Sequence, residues 1–419
     1  MKVLHTSDWH LGARLGRHDR LPDQRIALRG LLGIAEDAQP DLVLHTGDVF
    51  DSPRPPYEAL QLGVQALARL AGIAPTVVVS GNHDSPQLLK VIHSLAGMAE
   101  TRRLWMVTRP EVLTIPALDR VAVACVPFIP LTAIADLATA DPSRFEGTYA
   151  DGIRHLNERL LAQAAEQAGP RGTVLYAAHL YVHGARPGRS ERRITVGEDY
   201  ATHTEGLHRA MYVALGHIHD PQLVPGGAAA GRYAGSLVPI DFGEAVQGKM
   251  ALVVTIEGSD VAVREYPLPA GRPLTEFSGT PSELEALAAD GGLNGRILKA
   301  RVRSDDPVSD LAEGVLHLSP ECAIFDLVNV VANAQVKPID TSQEPDSEPD
   351  IRQLFAEWRN TAAYGITAPH DDVADMFARA IGGEEATGAE LGIEDAMTAA
   401  RKALGDLAAA RNGITGRDA

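Results

Sequence analysis

Seven polar side chains follow apolar, strand-like runs at five separate places in the first 219 residues of the chain. They are Asp8, His10, Asp48, Asn82, His179, His217 and His219. The carboxyl ends of strands are where α/β folds gather their ligands, so residues that are distant in sequence can converge there. Carboxylate, amide and imidazole groups together suit two borderline-hard divalent cations that share a carboxylate. The pattern therefore predicts a two-metal centre.

Each of these motifs is ambiguous when it is taken alone. Asp8 and His10 lie two residues apart, and on extended backbone such residues point the same way. Gly47 permits the tight turn that would present Asp48, whereas a lone aspartate at a turn is more often a structural cap. A lone histidine such as His179 is more often a core or surface residue. The metal-binding interpretation is favoured because all of the structural interpretations would have to hold at once.

The order of the motifs resembles one known family. D-x-H, G-D, G-N-H-D, H and G-H-x-H follow one another between Asp8 and His219, and this order is typical of the calcineurin-like metallophosphoesterase superfamily. Four longer stretches are similar to nuclease subunits of ATPase-coupled DNA repair complexes, namely residues 5–12, 46–51, 212–219 and 235–244. The resemblance covers about residues 1–266, and beyond them only the order of domains is similar.

This resemblance implies a role for each motif residue. It implies a first ion bound by Asp8, His10, Asp48 and His219, and a second ion bound by Asp48, Asn82, His179 and His217. Asp48 would bridge the ions, which in this family are usually Mn²⁺, although the ligand types alone leave iron and zinc open. His83 would be the catalytic residue that stabilises the transition state or protonates the leaving oxygen.

The resemblance also implies a reaction and its setting. Water activated by two divalent cations would hydrolyse DNA, by 3′-to-5′ exonuclease action on double strands and endonuclease action on single strands and hairpins. DNA repair, replication and recombination would be the setting. The ligand chemistry alone is shared by small-molecule and cyclic-nucleotide phosphodiesterases, and a non-catalytic scaffold that tethers DNA is the alternative from another class. A plasmid-nicking and linear-duplex assay with Mn²⁺ discriminates the three.

The elements that would position these residues predict a layered α/β fold. Apolar runs predict buried strands at residues 3–6, 42–45, 76–79, 121–126, 174–178 and 212–215. Helical periodicity at residues 24–38, 57–70 and 152–167 predicts helices that cover the sheets. Residues 251–256 and 261–266 follow one another without a helix, which predicts an antiparallel pair. With the resemblance, the expected fold is a metallophosphoesterase β-sandwich flanked by helices.

Changes in composition divide the chain into four predicted parts. Residues 1–268 would form the nuclease domain, and residues 272–335, with the pattern helix, strand, helix, strand, a small α/β capping domain. Residues 336–350 are rich in Ser, Glu, Pro and Asp, which predicts a flexible acidic linker. Residues 351–419 are expected to form a helical carboxyl-terminal tail.

The start of this tail carries an amphipathic pattern. Ile351, Leu354, Phe355 and Trp358 fall at i, i+3, i+4 and i+7, on one face of a helix. Such a face could pack on its own chain or occupy a groove on another protein. The resemblance implies that the tail binds a coiled-coil ATPase subunit. The nucleotide cycle of that subunit would control access to the metal site. It also implies a homodimer, for which the sequence shows no periodic seam.

Composition limits the class of protein and its partners. The chain has 419 residues, of which 45% are hydrophobic and 22% charged, as expected of a soluble globular protein with more than one structural unit. A net charge of −17 argues against a protein that binds nucleic acid through its overall charge, so DNA would be bound by local contacts. The first residues show no basic-then-apolar pattern, and no apolar run reaches the roughly 18 residues that a membrane span needs, so we expect neither export nor membrane insertion. Its two distant cysteines favour a reducing cytoplasm and exclude a thiolate metal cage.

Basic residues cluster beside two of the motifs despite this acidity. Arg14, Arg17 and Arg20 follow the first motif, and Arg186, Arg189, Arg192 and Arg193 follow the fourth. They could hold DNA phosphates near the metals, or they could form solvated charged loops.

A further stretch, residues 243–250, nearly matches the phosphate loop G-x-x-x-x-G-K-[ST]. Met250 stands in place of the hydroxyl residue, and a predicted strand follows where that loop needs a helix. We therefore expect a hairpin turn there and no ATP site.

Overall fold

The computed structural model describes residues 1–98, 103–138, 147–188, 190–191, 198–226, 230–245 and 248–332. These residues belong to one unit, Met1–Asn333. The predicted linker at residues 336–350 and the tail at residues 351–419 lie outside the described residues. The same holds for the apolar face of Ile351, Leu354, Phe355 and Trp358.

The first of two six-stranded sheets carries the amino terminus. In spatial order its strands are β14 (Asp260–Pro267), β13 (Met250–Glu257), β1 (Lys2–Thr6), β4 (Leu42–His45), β5 (Thr76–Val79) and β6 (Leu104–Val107). β1, β4, β5 and β6 run parallel, whereas β13 is antiparallel to both β1 and β14. The predicted antiparallel pair is therefore confirmed.

The second sheet also has six strands. In spatial order its strands are β11 (Gln222–Leu223), β12 (Ala230–Tyr233), β10 (Tyr212–Gly216), β9 (Thr173–His179), β8 (Val121–Val126) and β7 (Glu111–Thr114). The four inner strands run parallel and the two outer strands are antiparallel to their neighbours. A separate small hairpin is formed by β2 (Arg14–Leu15) and β3 (His18–Asp19).

The two sheets pack face to face and helices cover their outer faces. Val3, Leu44 and Val77 of the first sheet meet Val123 and Ala214 of the second in one buried cluster. The first sheet is covered by α1 (Leu21–Ala38), α2 (Tyr57–Ile73) and α3 (Pro86–Gly97), and the second by α4 (Ile134–Ala138) and α5 (Tyr149–Ala168). The predicted helix-flanked β-sandwich is confirmed. No helix in the described ranges is long and apolar enough to cross a membrane.

Two helices begin three residues before the apolar periodicity that predicted them. α1 starts at Leu21 with Pro22 in its first turn, where the missing N–H of proline costs no helical hydrogen bond. α5 starts at Tyr149 because Thr148 and Asp151 form a capping box, each side chain accepting the backbone N–H of the other residue.

A third sheet follows the sandwich. Its parallel strands are β15 (Leu274–Gly279), β16 (Ile297–Ser304) and β17 (Ala323–Val331), and its helices are α6 (Pro281–Ala289) and α7 (Leu311–Leu318). The expected pattern omitted β15, in which polar and apolar residues alternate and only the two end residues are buried. Leu274 and Ile297 pack against Leu15 and Phe242 of the sandwich. The extent of the capping domain, residues 272–335, stays a prediction.

The stretch at residues 243–250 is not a hairpin turn. Phe242–Glu244 forms one turn of 3-10 helix, and the chain then enters β13 at Met250. The preceding strand, β12, belongs to the second sheet, whereas β13 belongs to the first. The hairpin prediction is therefore wrong, because this segment carries the chain from one sheet to the other.

Arg20 cannot hold a DNA phosphate in this structure. Its side chain is fully buried, and its guanidinium lies 2.9 Å from the carboxylate of Asp23. Asp23 also binds the guanidinium of Arg272, which lies 2.9 Å away and precedes the third sheet. Burial without this partner would be costly for a guanidinium. The prediction for Arg20 is wrong, since the residue stabilises the junction between the sandwich and the third sheet.

Candidate metal centre

The strands that precede the predicted ligands end at one edge of the sandwich. β1, β4 and β5 are parallel neighbours in the first sheet, and β9 and β10 are parallel neighbours in the second. Hydrogen bonds join the sheets there: His179 Nδ1 donates to the Thr46 carbonyl at 2.8 Å, and the His217 backbone N–H donates to Asp8 Oδ1 at 3.1 Å. All seven predicted ligand residues are thus brought together.

The first group of ligand atoms surrounds His10. Its Nε2 lies 3.0 Å from His219 Nε2 and 3.6 Å from Asp48 Oδ2. Asp8, His10 and His219 each offer one ligand atom, and these atoms lie within 4.8 Å of one another. All four residues are buried. This group matches the residues predicted for the first ion.

The second group lies on the other side of Asp48. His179 Nε2 and His217 Nδ1 each lie 2.9 Å from Asn82 Oδ1, and they are 3.2 Å from each other. Asp48 Oδ2 is 3.4 Å from His179 Nε2, so one carboxylate oxygen reaches both groups. Metal–ligand distances of about 2.1 Å place neighbouring ligands of one ion about 3 Å apart, so these spacings fit a divalent cation.

The ligand residues are held in backbone conformations that side chains rarely adopt. Asp8, His10, Asp48 and His217 all have positive φ, between 45° and 94°. Such conformations cost on the order of 1–3 kcal/mol each and persist where the surrounding structure fixes them, often at functional sites. At Gly81 a Cβ would lie 2.1 Å from Asp48 Oδ1, so only glycine lets the two strand-end loops approach this closely.

Buried charges shift the pKa values of the group. Burial alone would lower the pKa of both His10 and His179. Asp51, Asp48 and Asp8 nevertheless raise the pKa of His10 to about 9, and Asp48, Asp8 and the Thr46 carbonyl raise that of His179 to about 9. Burial alone would raise the pKa of Asp48, but the His179 and His10 imidazolium groups hold it well below its usual range. The metal-free protein therefore keeps both imidazoles protonated at neutral pH.

These pKa values predict that metal affinity rises with pH. A metal ligand must be a neutral imidazole, so each ion that binds displaces protons from His10 or His179. The raised pKa values stabilise the metal-free fold below about pH 6.5, and this contribution is lost as pH rises through 9. We expect Mn²⁺ affinity to rise about tenfold per pH unit for each displaced proton between pH 6.5 and 8.5. Calorimetry in buffers of different ionisation enthalpy measures this, and a pH-independent affinity would contradict it.

His83 lies at the rim of the first group. Its ring meets the His10 ring edge to face at a centroid distance of 4.7 Å, and its Nδ1 donates to the Asp51 carbonyl at 2.7 Å. Its backbone N–H donates to Asp48 Oδ1 at 2.7 Å. The residue is half-buried. It is therefore next to the ligands and within reach of solvent, as a proton donor to a bound substrate must be.

Several residues of this site were not predicted from the sequence. Asp51 Oδ1 lies 3.3 Å from His10 Nδ1, so a carboxylate lies behind that imidazole. Asp84 accepts the backbone N–H groups of Phe50 and Gly81, which ties two strand-end loops together. His219 is surrounded by the partly buried Ser190 and by the buried residues Glu191, Glu244 and Lys249. Asp51 and Asp84 could have been found by their positions, because Asp51 stands three residues after Asp48 and Asp84 stands two residues after Asn82.

The remaining predicted DNA contacts are only partly described. Arg14 is exposed, and its guanidinium donates to the Arg17 carbonyl at 2.8 Å. Arg17 donates from Nη2 to the Ile324 carbonyl at 3.0 Å, so its guanidinium bridges to the third sheet. Arg186 is 78% exposed and lies 3.7 Å from Asp220 Oδ2. The positions Arg189, Arg192 and Arg193 lie outside the described residues.

Comparison with known proteins gives a family and several relatives. Residues 1–221 match the family model of calcineurin-like phosphoesterases. The chain is 28% identical over 406 residues to the SbcD subunit of nuclease SbcCD from Bacillus subtilis, covering 92% of this chain and 99% of that protein. It is 30% identical to the protein of the same name from Rhodobacter capsulatus, over 74% of this chain and 82% of the relative. The Escherichia coli K12 protein of that name is also 30% identical, over 68% and 73% of the two chains.

Solved structures give weaker overlaps. A dimetal phosphatase from Danio rerio covers 64% of this chain and 96% of its own at 12% identity, with a TM-score of 0.41. A Thermus thermophilus protein, TT1561, covers 63% and 98% at 13% identity, with a TM-score of 0.37. The family assignment rests on the sequence matches.

Proposed function

We propose that this chain, which belongs to the calcineurin-like phosphoesterase family and within it to the SbcD nucleases, cuts the phosphodiester backbone of DNA at the two-metal centre described above. Family membership makes it a metal-dependent hydrolase of ester bonds. The observation that carries the proposal is the convergence of side chains from five strand ends into two adjoining groups that share Asp48. The proposed activities are exonuclease cutting of double strands and endonuclease cutting of single strands and hairpins.

The proposed ligand sets follow the two groups. The first divalent ion would be held by Asp8, His10, Asp48 and His219, and the second by Asp48, Asn82, His179 and His217. The donors are nitrogen and oxygen atoms only, which suits Mn²⁺. The same donors also suit iron and zinc, and of the three metals we propose Mn²⁺ because the resemblance to the family implies it.

The chain's own residues prepare the site for hydrolysis. When bound, two divalent cations would supply an activated water and neutralise the charge of the scissile phosphate. Asp48, His10 and His179 are buried, so their positions are fixed before substrate arrives. The Nδ1 hydrogen bond of His83 orients its ring, so that the protonated imidazole can give the leaving oxygen the proton that it needs.

DNA would be held by exposed cations beside this centre. Arg14 and Arg186 are the described candidates, because both guanidinium groups are exposed. The net charge of −17 means that such contacts would be few and local. Replacing either arginine by glutamine would reduce the salt dependence of DNA binding by about one unit of slope, and an unchanged slope would remove that residue from the interface.

The proposed partner is the coiled-coil ATPase subunit of an SbcCD-type complex. The support is the family membership and the apolar pattern of Ile351, Leu354, Phe355 and Trp358 after the acidic linker. A chain truncated after Pro338 would then fail to form the complex, and stable assembly of the truncated chain would refute the role of the tail.

We also propose that the chain forms a homodimer through α3. Val91, Leu95 and Met98 lie at i, i+4 and i+7, and they are 55%, 62% and 82% exposed. An apolar stripe of this kind is typical of an interaction site. Leu95→Glu is expected to convert a dimer to a monomer in light scattering, whereas Lys90→Glu, on a neighbouring exposed position, should leave the mass unchanged. A wild-type chain that is already monomeric would contradict the proposal.

The decisive test of the function is cleavage with purified protein. The wild-type chain with Mn²⁺, with and without its ATPase partner, is incubated with supercoiled plasmid, linear duplex, hairpin DNA and a cyclic-nucleotide substrate. We expect cleavage of the DNA substrates that chelation abolishes. Hydrolysis of the cyclic nucleotide alone would identify a small-molecule phosphodiesterase, and DNA binding without any hydrolysis would identify a tethering scaffold.

A further inference from the structure

His219 is enclosed by four polar side chains that the two-metal site does not account for. Its backbone N–H donates to Glu191 Oε1 at 2.9 Å, and its carbonyl accepts from Lys249 Nζ at 3.0 Å. Its Nδ1 lies 2.7 Å from Ser190 Oγ and 3.3 Å from Glu244 Oε1. The backbone N–H, the carbonyl and Nδ1 of His219 are therefore each bound by one of these side chains. Nε2 is the atom that faces His10.

The hydrogen bonds form a relay with a defined direction. A carboxylate can only accept, so the Ser190 hydroxyl donates to Glu244 Oε1 and is left to accept from His219 Nδ1–H. The imidazole proton is thereby placed on Nδ1, and the Nε2 lone pair is directed toward the first ligand group. When the second nitrogen of a ligand histidine donates to a carboxylate, this hydrogen bond fixes the tautomer and the ring orientation. It also makes the imidazole a more basic ligand.

Glu244 is itself fixed as an anion. Its side chain is fully buried, and its Oε2 accepts from Lys249 Nζ and from Ser236 Oγ at 2.9 Å. A buried carboxylate needs such partners, because burial of an unpaired charge is strongly unfavourable. Both members of the ion pair come from the segment at residues 243–250.

The relay also reaches the loop after β9. Ser190 and Glu191 both belong to the arginine-bearing stretch at residues 186–193, and both are bonded to His219. Glu191 is 7% exposed, so this part of the loop is anchored inside the protein. The same contacts therefore hold Ser190 and Glu191 and orient the His219 imidazole.

We propose that Glu244 is a positioning residue for the first metal ion, which acts through Ser190 on His219. The inference rests on the proposed function in one respect, the assignment of His219 as a ligand. It goes beyond that function by giving a role to Glu244, Ser190 and Lys249.

The test compares metal binding in three variants of the full chain. Glu244→Gln keeps the size of the side chain and removes its charge, Ser190→Ala removes the hydroxyl of the relay, and Glu285→Gln makes the same chemical change at an exposed helix position. Isothermal calorimetry and electron paramagnetic resonance with Mn²⁺ count the ions and give both affinities. Thermal melting without metal reports on the fold.

We expect the wild-type chain and Glu285→Gln to bind two ions. Glu244→Gln should weaken one site about 10-fold to 100-fold and leave the other unchanged. Ser190→Ala should weaken the same site less, because Glu244 Oε1 still lies 3.3 Å from His219 Nδ1. Melting without metal should be similar in Ser190→Ala and the wild type.

Two results would overturn the proposal. In one, Glu244→Gln and Ser190→Ala bind both ions with wild-type affinity. In the other, both sites weaken equally and the metal-free melting temperature falls in both variants, which would make Glu244 a general structural support. If the wild-type chain itself bound no ions, the two-metal function would fail, so the two failures are distinguishable.

Discussion

Asp48→Asn is expected to lower DNA cleavage by at least about 1,000-fold, which corresponds to about 4 kcal/mol of transition-state stabilisation. Asn keeps the shape of the side chain and can still accept the backbone N–H of His83, which lies 2.7 Å from Oδ1. It removes the negative charge that reaches both His10 and His179. Two cations held close together repel each other, and a neutral amide cannot offset that repulsion.

The measurement pairs cleavage rates with a count of bound Mn²⁺. We expect fewer than two ions per chain in Asp48→Asn at concentrations that saturate the wild type. Asp37→Asn, at an exposed position of α1, makes the same change away from the site and should cut DNA at the wild-type rate. Asp48→Asn with two ions and full activity would show that the shared carboxylate is not needed.

His83→Ala is expected to separate metal binding from turnover. His83 is outside the proposed ligand sets, and its ring lies against His10 with its Nδ1 bonded to the Asp51 carbonyl. Loss of a positioned general acid typically costs about 100-fold to 10,000-fold in rate. We therefore expect two bound ions, a nearly unchanged KM for DNA and a kcat lower by that factor.

Single-turnover kinetics and calorimetry with Mn²⁺ check this expectation. His155→Ala removes an exposed imidazole from α5 and serves as the matched control. Full activity of His83→Ala would remove His83 from the mechanism. Loss of an ion in this variant would instead make His83 a ligand, an arrangement that the proximity of His83 to His10 and Asp48 permits.

The convergence of the candidate ligand residues could be predicted from the sequence because their signals are local. Asp8, Asp48 and His217 each stand just after a buried apolar run, and the polarity of a parallel sheet sends such positions to one edge. The antiparallel pair β13 and β14 was predicted on the same local grounds, since no helix separates the two strands.

The predictions that failed depended on contacts between distant segments. Arg20 looks like a surface cation in sequence, but Asp23 and the chain around Arg272 enclose it. The segment at residues 243–250 looked like a hairpin turn, yet it connects strands of different sheets. The first strand of the third sheet was missed because polar residues alternate along it.

The sequence by itself determined the layered α/β class and the positions of the candidate ligand residues just after apolar runs, because apolar runs and the polar residues after them are properties of short segments. Only the tertiary structure decided that Glu244, Ser190 and Lys249 enclose His219, and that Arg20 is buried. A hydrogen bond or ion pair between residues tens of positions apart depends on how the two sheets are stacked, and no short segment encodes that distance.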